Sequence, residues 1–187
     1  MVSRRLFGVL GLVPLAALLG LVGWSLAQRG TAPGGTGVNA QGSDLPVTRR
    51  PAPELRLELF DPSGASWRLA DQLGKPVVIN FWASWCAPCR TEAGTLAQAA
   101  RDYTPRGTVF VGADLWDDPV AAKAFLTEFG IAYPNGLDTT GTAGVAYAVT
   151  GIPETFVVDA QGRLTEHWVG PLTRTTLDSL LAGKAER

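Results

Sequence analysis

Cysteine and histidine are nearly absent: the 187 residues hold two cysteines, Cys86 and Cys89, and one histidine, His167. A structural zinc site takes four ligands drawn mainly from Cys and His, so these three residues do not make one. Positive charge is also sparse where a globular body would lie. Residues 51–187 carry 11 Lys and Arg against 16 Asp and Glu. Arg4, Arg5, Arg29, Arg49 and Arg50 all precede that stretch, and nothing resembles the basic footprint of a nucleic-acid binder. No internal repeat with a period of about 20 to 50 residues is present, which excludes solenoids and propellers.

One long stretch has no ionisable residue. It runs over residues 6–27, directly after Arg4 and Arg5. At about 1.5 Å per residue it is long enough, as a helix, to cross a bilayer core of about 30 Å. The paired arginines before it predict a cytoplasmic N-terminus and export of everything after Arg29. Residues 1–27 therefore read as a retained membrane anchor. The alternative is a cleaved signal peptide ending near Ser25, Leu26 and Ala27. No cysteine follows the run, so lipid modification there is excluded. Residues 28–50, with Gly30, Gly34, Gly35, Gly37, Gly42, Pro33 and Pro46, read as a flexible linker with a reach of about 25 Å. Residues 51–187 are then one domain, large enough to hold a core without disulfide staples. The cysteines are free for chemistry.

The body alternates strand and helix patterns. Leu55, Leu57 and Leu59 alternate with polar residues, a turn follows at Asp61-Pro62-Ser63-Gly64, and Trp67 and Leu69 resume the pattern, predicting an N-terminal hairpin. Residues 77–82 form an almost unbroken β-branched and aromatic run, expected for a central strand covered on both faces. From Pro88 a helix follows with Cys89, Ala93, Leu96, Ala100 and Tyr103 on one face. A buried strand is predicted over 108–113. Asp118 and Pro119 supply the cap and first turn of a further helix that Gly130 closes. A short helix is expected over 143–148, a hairpin from 155–158 and 164–169, and a last helix around Leu177, Leu180 and Leu181. The class is α/β, with a central mixed sheet flanked by helices.

Cys86 and Cys89 have C-x-x-C spacing where a buried strand meets a helix N-terminus. The unpaired N–H groups and partial positive charge of that helix end favour a thiolate at Cys86. Cys89, one turn in, points toward the core. Cys86 is thus the attacking thiol and Cys89 the resolving one, with Pro88 tuning the helix end. Other readings of the pair are a structural disulfide and copper binding through Cys86, Cys89 and His167. His167 is otherwise expected as an exposed residue on a hairpin strand.

The segment Phe81-Trp82-Ala83-Ser84-Trp85-Cys86-Ala87-Pro88-Cys89-Arg90 resembles the active-site segment of thioredoxin-fold proteins, and Arg90-Thr91-Glu92 narrows the likeness to the membrane-tethered TlpA/ResA/DsbE group. Gly151-Ile152-Pro153-Glu154-Thr155 resembles a segment of the cytochrome c maturation reductants of the DsbE or CcmG type. The resemblance implies a thioredoxin-like fold, a cis-proline at Pro153 and a substrate groove that includes Ile152, with Trp85 and Pro88 on its other side. It also implies an exported, membrane-tethered thiol-disulfide oxidoreductase in the periplasmic or extracytoplasmic space. Its client would be the haem-binding Cys-x-x-Cys-His disulfide of apocytochrome c or another exported disulfide. Its electron donor would be a membrane thiol transporter of the DsbD or CcdA kind. No cofactor or metal is expected beyond the redox-active pair. The alternative function is a copper-binding protein serving an oxidase, and a third is a docking module in which the dithiol is incidental.

Two carboxylates are candidates for proton handling. Glu92 lies one turn after Cys89 and either faces inward with a raised pKa or faces solvent at the helix start. Glu154, next to Pro153, resembles the family's acidic residue near the active site, or else is a strand-edge glutamate without a role. Asn80 stands where thioredoxins resemble one another in a buried aspartate, which shifts the proton-relay role to Glu92 or Glu154. Gly94 stands where many relatives have a helix-kinking proline.

Overall fold

A computed structural model of the chain describes residues 37–60, 64–138 and 140–182, together with Gly20. The apolar run 6–27, apart from Gly20, lies outside the described residues, as do 28–36 and the predicted turn at 61–63. Among the described residues no helix is long and apolar enough to cross a membrane. The chain divides into compact units at residues 1–35 and 36–187; the elements below belong to the second.

The expected linker does not stay a linker. From residue 37 the tract forms three short strands, β1 (Gly37–Val38), β2 (Ser43–Leu45) and β3 (Arg50–Pro51). Its glycines and prolines gave no strand pattern, because what orders the segment is a row of unpaired backbone groups offered by strands more than 100 residues away. The predicted hairpin follows as β4 (Arg56–Leu59) and β5 (Ser66–Arg68).

All six side chains of β6 (Val77–Trp82) are buried, as a strand covered on both faces requires. The chain continues through α1 (Ala87–Tyr103), β7 (Val109–Leu115), α2 (Pro119–Glu128), β8 (Asn135–Asp138) and the short α3 (Thr142–Ala146). Next come β9 (Gly151–Ile152), β10 (Glu154–Val158), β11 (Arg163–Val169) and α4 (Arg174–Ala182). The strands lie in the order β2-β11-β10-β6-β7-β8-β4-β5, with β3 also on β11, and β1 pairs separately with β9. β6, β7 and β8 are mutually parallel, and the outer pairings are antiparallel. The mixed sheet flanked by helices is the predicted architecture.

Strand β7 runs one residue later at its start and two later at its end than the pattern predicts, and so takes in a buried aspartate, Asp114. Helix α2 begins as expected, with Asp118 accepting hydrogen bonds from the N–H groups of Val120 and Ala121. Helix α1 runs unbroken through Gly94, around which a side chain would meet open space. The core closes through Phe81, Tyr147 and Phe156, whose ring centroids lie 5.2–5.7 Å apart, and through Trp82 stacked on Phe125 at 4.5 Å. A second cluster joins Val78, Leu96, Phe110, Leu177 and Leu180 between the sheet, α1 and α4.

This topology brings two chain segments to one end of the sheet. β10 is antiparallel to β6 with Glu154 opposite Phe81. Where β6 runs out into Ala83 and the cysteine loop, β10 is therefore entered through Ile152 and Pro153.

Candidate active site

Cys86 is the N-cap of α1. Its extended backbone (φ −80°, ψ 107°) starts the helix, and its sulfur accepts the N–H of Cys89 at 3.2 Å. Pro88 occupies the first turn, where the missing N–H costs no helical bond. Cys86 and Cys89 are joined in a disulfide with Cα atoms 5.3 Å apart. Both sulfur-bearing residues are buried, Cys86 with 0% of its surface exposed. Sγ of Cys86 thus sits where helix N–H groups converge, which is the local geometry that favours a thiolate over a thiol.

The loop leading into Cys86 is held from the neighbouring strand end. Ser84 donates its hydroxyl to Asp117 at 2.8 Å and its backbone N–H to the same carboxylate. Trp85, half exposed, donates its indole N–H to the Trp116 carbonyl at 3.2 Å. Trp116 has φ +52°, so the chain turns sharply there to present both that carbonyl and Asp117 to the cysteine loop. Deeper in, Asp114 is completely buried, and neither carboxyl oxygen has a hydrogen-bond partner among the described residues. Burial first, and the Asp117 carboxylate second, push its pKa up to about 8.

Glu92 faces inward, and the solvent-facing alternative is corrected. It is 1% exposed. One carboxyl oxygen accepts the side-chain amide of Asn80 at 2.8 Å, and the other accepts the N–H of Leu172 at 2.6 Å. Burial outweighs these two bonds and raises the Glu92 pKa to about 8. Asn80 also donates to the Thr155 hydroxyl at 3.1 Å, linking the carboxyl under α1 to β10. Asn80 and Cys89 line one small apolar cavity with Trp82, Leu96, Phe125 and Tyr133.

Across the sheet end, the Ile152–Pro153 peptide bond is cis. Glu154, completely buried, organises the turn before it. Its Oε1 accepts the N–H and hydroxyl of Thr150 at 2.9 and 2.8 Å and the N–H of Gly151 at 3.1 Å. Its Oε2 lies 2.7 Å from Nε2 of His167. Burial works to raise the Glu154 pKa, but the bonds from His167 and Thr150 prevail and hold it below the usual carboxylate value. The expectation of an exposed His167 is corrected: its side chain is 13% exposed and stacks on Phe156 at 4.0 Å, because Phe156 is its direct cross-strand partner. The copper alternative required His167 beside the cysteines. Its Nε2 faces Glu154 instead, and among the described residues no group of three or more His, Cys, Asp or Glu side chains is placed to hold a metal.

The sequence pattern assigns no role to Asp114, Asp117 or Ser84. A charged residue interrupting the apolar run Val109–Leu115 was the available signal for Asp114. Nothing local marked Asp117 as the partner of Ser84.

A mixed sheet with a Cys-x-x-Cys disulfide at the start of the helix after its central strand, and a cis-proline loop at the same sheet end, defines the thioredoxin-like thiol-disulfide oxidoreductases. The chain belongs to the AhpC/TSA family, whose model matches residues 48–167. It is 41% identical over 143 residues to the thiol:disulfide interchange protein HelX of Rhodobacter capsulatus, covering 72% of this chain and 77% of that one. It is 35% identical over 172 residues to the thiol:disulfide interchange protein DsbE of Escherichia coli, covering 86% and 85%. Among solved structures, a thiol:disulfide interchange protein of the thioredoxin family from Chlorobium tepidum superposes with a TM-score of 0.66 at 29% identity, covering 75% of this chain and 99% of that one. The chain is an enzyme of the DsbE, HelX and ResA type.

Proposed function

We propose that this enzyme is an exported, membrane-tethered reductase whose substrate is the haem-binding Cys-x-x-Cys-His disulfide of apocytochrome c. The observation that carries the reading is Cys86 Sγ at the N-cap of α1, accepting the Cys89 N–H, at the sheet end where the Ile152–Pro153 loop lies. In the reduced enzyme the Cys86 thiolate attacks one sulfur of the substrate disulfide. A Cys86–substrate bond forms, the substrate S–S bond breaks, and one substrate thiolate leaves and takes a proton. Cys89, deprotonated with the Glu92 carboxylate as acceptor, then attacks Cys86 Sγ. The Cys86–Cys89 bond forms, the second substrate thiolate leaves, and two electrons have passed to the substrate. The Cys86–Cys89 pair is the group that is oxidised. A membrane dithiol of the DsbD or CcdA kind returns the electrons by the same exchange in reverse. Trp85 and Pro88 on one side and Ile152 and Pro153 on the other form the substrate surface, and Glu154 positions it by holding Thr150 and Gly151.

The test is a Cys89→Ser variant, which halts the reaction at the mixed disulfide. Expressed with its natural export signal, it should accumulate adducts through Cys86 that contain apocytochrome c. Adducts with other exported proteins but none with apocytochrome c would overturn the client and leave the chemistry.

A further inference from the structure

Cys86 must be reached by a partner's sulfur, yet it has no exposed surface, and the backbone edge beside the cis-proline is already occupied. Strand β1 lies parallel on β9, with Gly37 opposite Gly151 and Val38 opposite Ile152. The Asn39 N–H donates to the Ile152 carbonyl at 2.7 Å, and its side-chain amide donates to the Pro153 carbonyl at 3.3 Å. The pairing is flush: a Cβ on Gly151 would come within 2.6 Å of the Gly37 carbonyl oxygen and 2.9 Å of Asn39 Oδ1. The Ile152 carbonyl, the acceptor that an added peptide strand would use on this edge, is thus taken by the protein's own chain, while the Pro153 carbonyl accepts the Gly170 N–H as well.

The segment is built to stay near while holding weakly. Downstream it is pinned: Gly42 packs under the Trp168 ring, the Gln41 carbonyl lies against Gly170, and β2 pairs with β11. Upstream of these anchors, β1 is two residues long and contacts the edge through a handful of backbone groups. A short strand on a fixed tether has a high local concentration but a small binding energy of its own, so it is an occupant that a better strand displaces.

We propose that residues 37–39 are a resident strap on the Gly151–Ile152 docking edge, and that an extended segment of the disulfide substrate binds by displacing it. The inference rests on the reading that Cys86 attacks a disulfide carried by a peptide docked at this edge; it does not depend on which protein supplies that peptide. Free protein then reacts only in the fraction of time the strap is open, and weakening the strap raises the apparent rate by the inverse of that fraction.

The experiment uses the full chain in detergent and compares Asn39→Pro, which loses both donors, and Asn39→Ala, which loses only the side-chain donor, with the wild type. Two probes are reduced in parallel, insulin and a synthetic peptide with a Cys-x-x-Cys-His disulfide. Asn39→Pro should raise kcat/KM for both by about tenfold, the scale set by losing two hydrogen bonds, with Asn39→Ala in between. Hydrogen exchange adds a readout that needs no strap variant. The Asn39 amide should be protected in the resting oxidised protein and exchange at least about tenfold faster once the peptide is trapped on Cys86 in Cys89→Ser. Unchanged rates in the Asn39 variants, or an Asn39 amide still protected in the trapped adduct, overturn the strap. A preference between the two probes bears on the client alone.

Discussion

The side-chain amide of Asn80 donates to the carboxyl of Glu92 at 2.8 Å, inside the core, and Asn80 shares a cavity with Cys89. The amide on β6 and the carboxyl on α1 thus form one buried hydrogen-bonded pair that also reaches Thr155 and the Leu172 N–H. The titrating group of this pair lies on the helix that carries the cysteines, and the strand residue supplies a hydrogen bond to it.

Replacing Glu92 with Gln tests that division. The folded state raises the carboxyl pKa from 4.5 to about 8, so it binds the proton more tightly than the unfolded chain does. This contribution to stability is complete below pH 4.5 and fades as pH rises toward 8. Gln preserves both hydrogen bonds if the Asn80 amide turns over, and it does not titrate. Urea unfolding of Glu92→Gln should show the alkaline loss of stability reduced by a few kcal/mol relative to wild type. Resolution of the mixed disulfide should slow and shift to higher pH in the same variant. A resolution profile identical to wild type would remove Glu92 from the proton path.

Glu154 has the opposite sign. Its pKa is depressed, so its stabilisation is present above the ordinary carboxylate value and is lost as pH falls through the folded-state value. Glu154→Ala strands the buried N–H of Gly151 and removes the carboxylate partner of Thr150 and of the His167 ring. It should cost about 1 to 3 kcal/mol at pH 7, with the gap to wild type narrowing on acidification. Because the stranded groups precede Pro153, kcat/KM for a peptide disulfide should fall more than that for a small-molecule disulfide.

Asp114 offers a gain rather than a loss. Burial, with the Asp117 carboxylate nearby, holds its pKa at about 8 against 3.8, and among the described residues neither carboxyl oxygen has a hydrogen-bond partner, so ionisation is costly at that site. Asp114→Asn should leave stability near wild type at acid pH and exceed it as pH rises toward 8. Thermal melts at pH 5 and pH 8.5 measure the difference. Combined with Glu92→Gln, the stability profile should become nearly flat across that interval.

Asp117→Ala removes the acceptor for both the hydroxyl and the N–H of Ser84, two residues before Cys86. The loop should exchange its amides faster, and kcat/KM should drop several-fold. Asp117→Asn, which keeps an acceptor oxygen, should restore most of the loss. Failure of the conservative variant to rescue would assign Asp117 an electrostatic rather than a positioning role.

The strand and helix pattern was readable wherever one element's own side chains decide it. The six-residue run at 77–82, the Asp118 cap and the hairpin at 155–169 depend on burial period and turn chemistry within a few residues. Reading failed where the decisive partner is remote. The tract from Gly37 has a linker's composition, and only the free edges of β9 and β11 make strands of it. His167 has the sequence surroundings of an exposed strand residue, and only the facing Glu154 and Phe156 draw it in.

The amino-acid sequence by itself determined that one cysteine caps a helix after a buried strand and the other lies in its first turn, because spacing and helix-end polarity are local properties. It thereby determined the chemistry. Tertiary structure decided which carboxyls are buried and what pairs with the edge beside the cis-proline. Glu92 acquires its raised pKa from burial, against the lowering effect of its bond from the Leu172 N–H 80 residues on, and the edge at Gly151 is paired by a segment more than 100 residues away. Desolvation and strand pairing arise from neighbours that only the folded chain brings together.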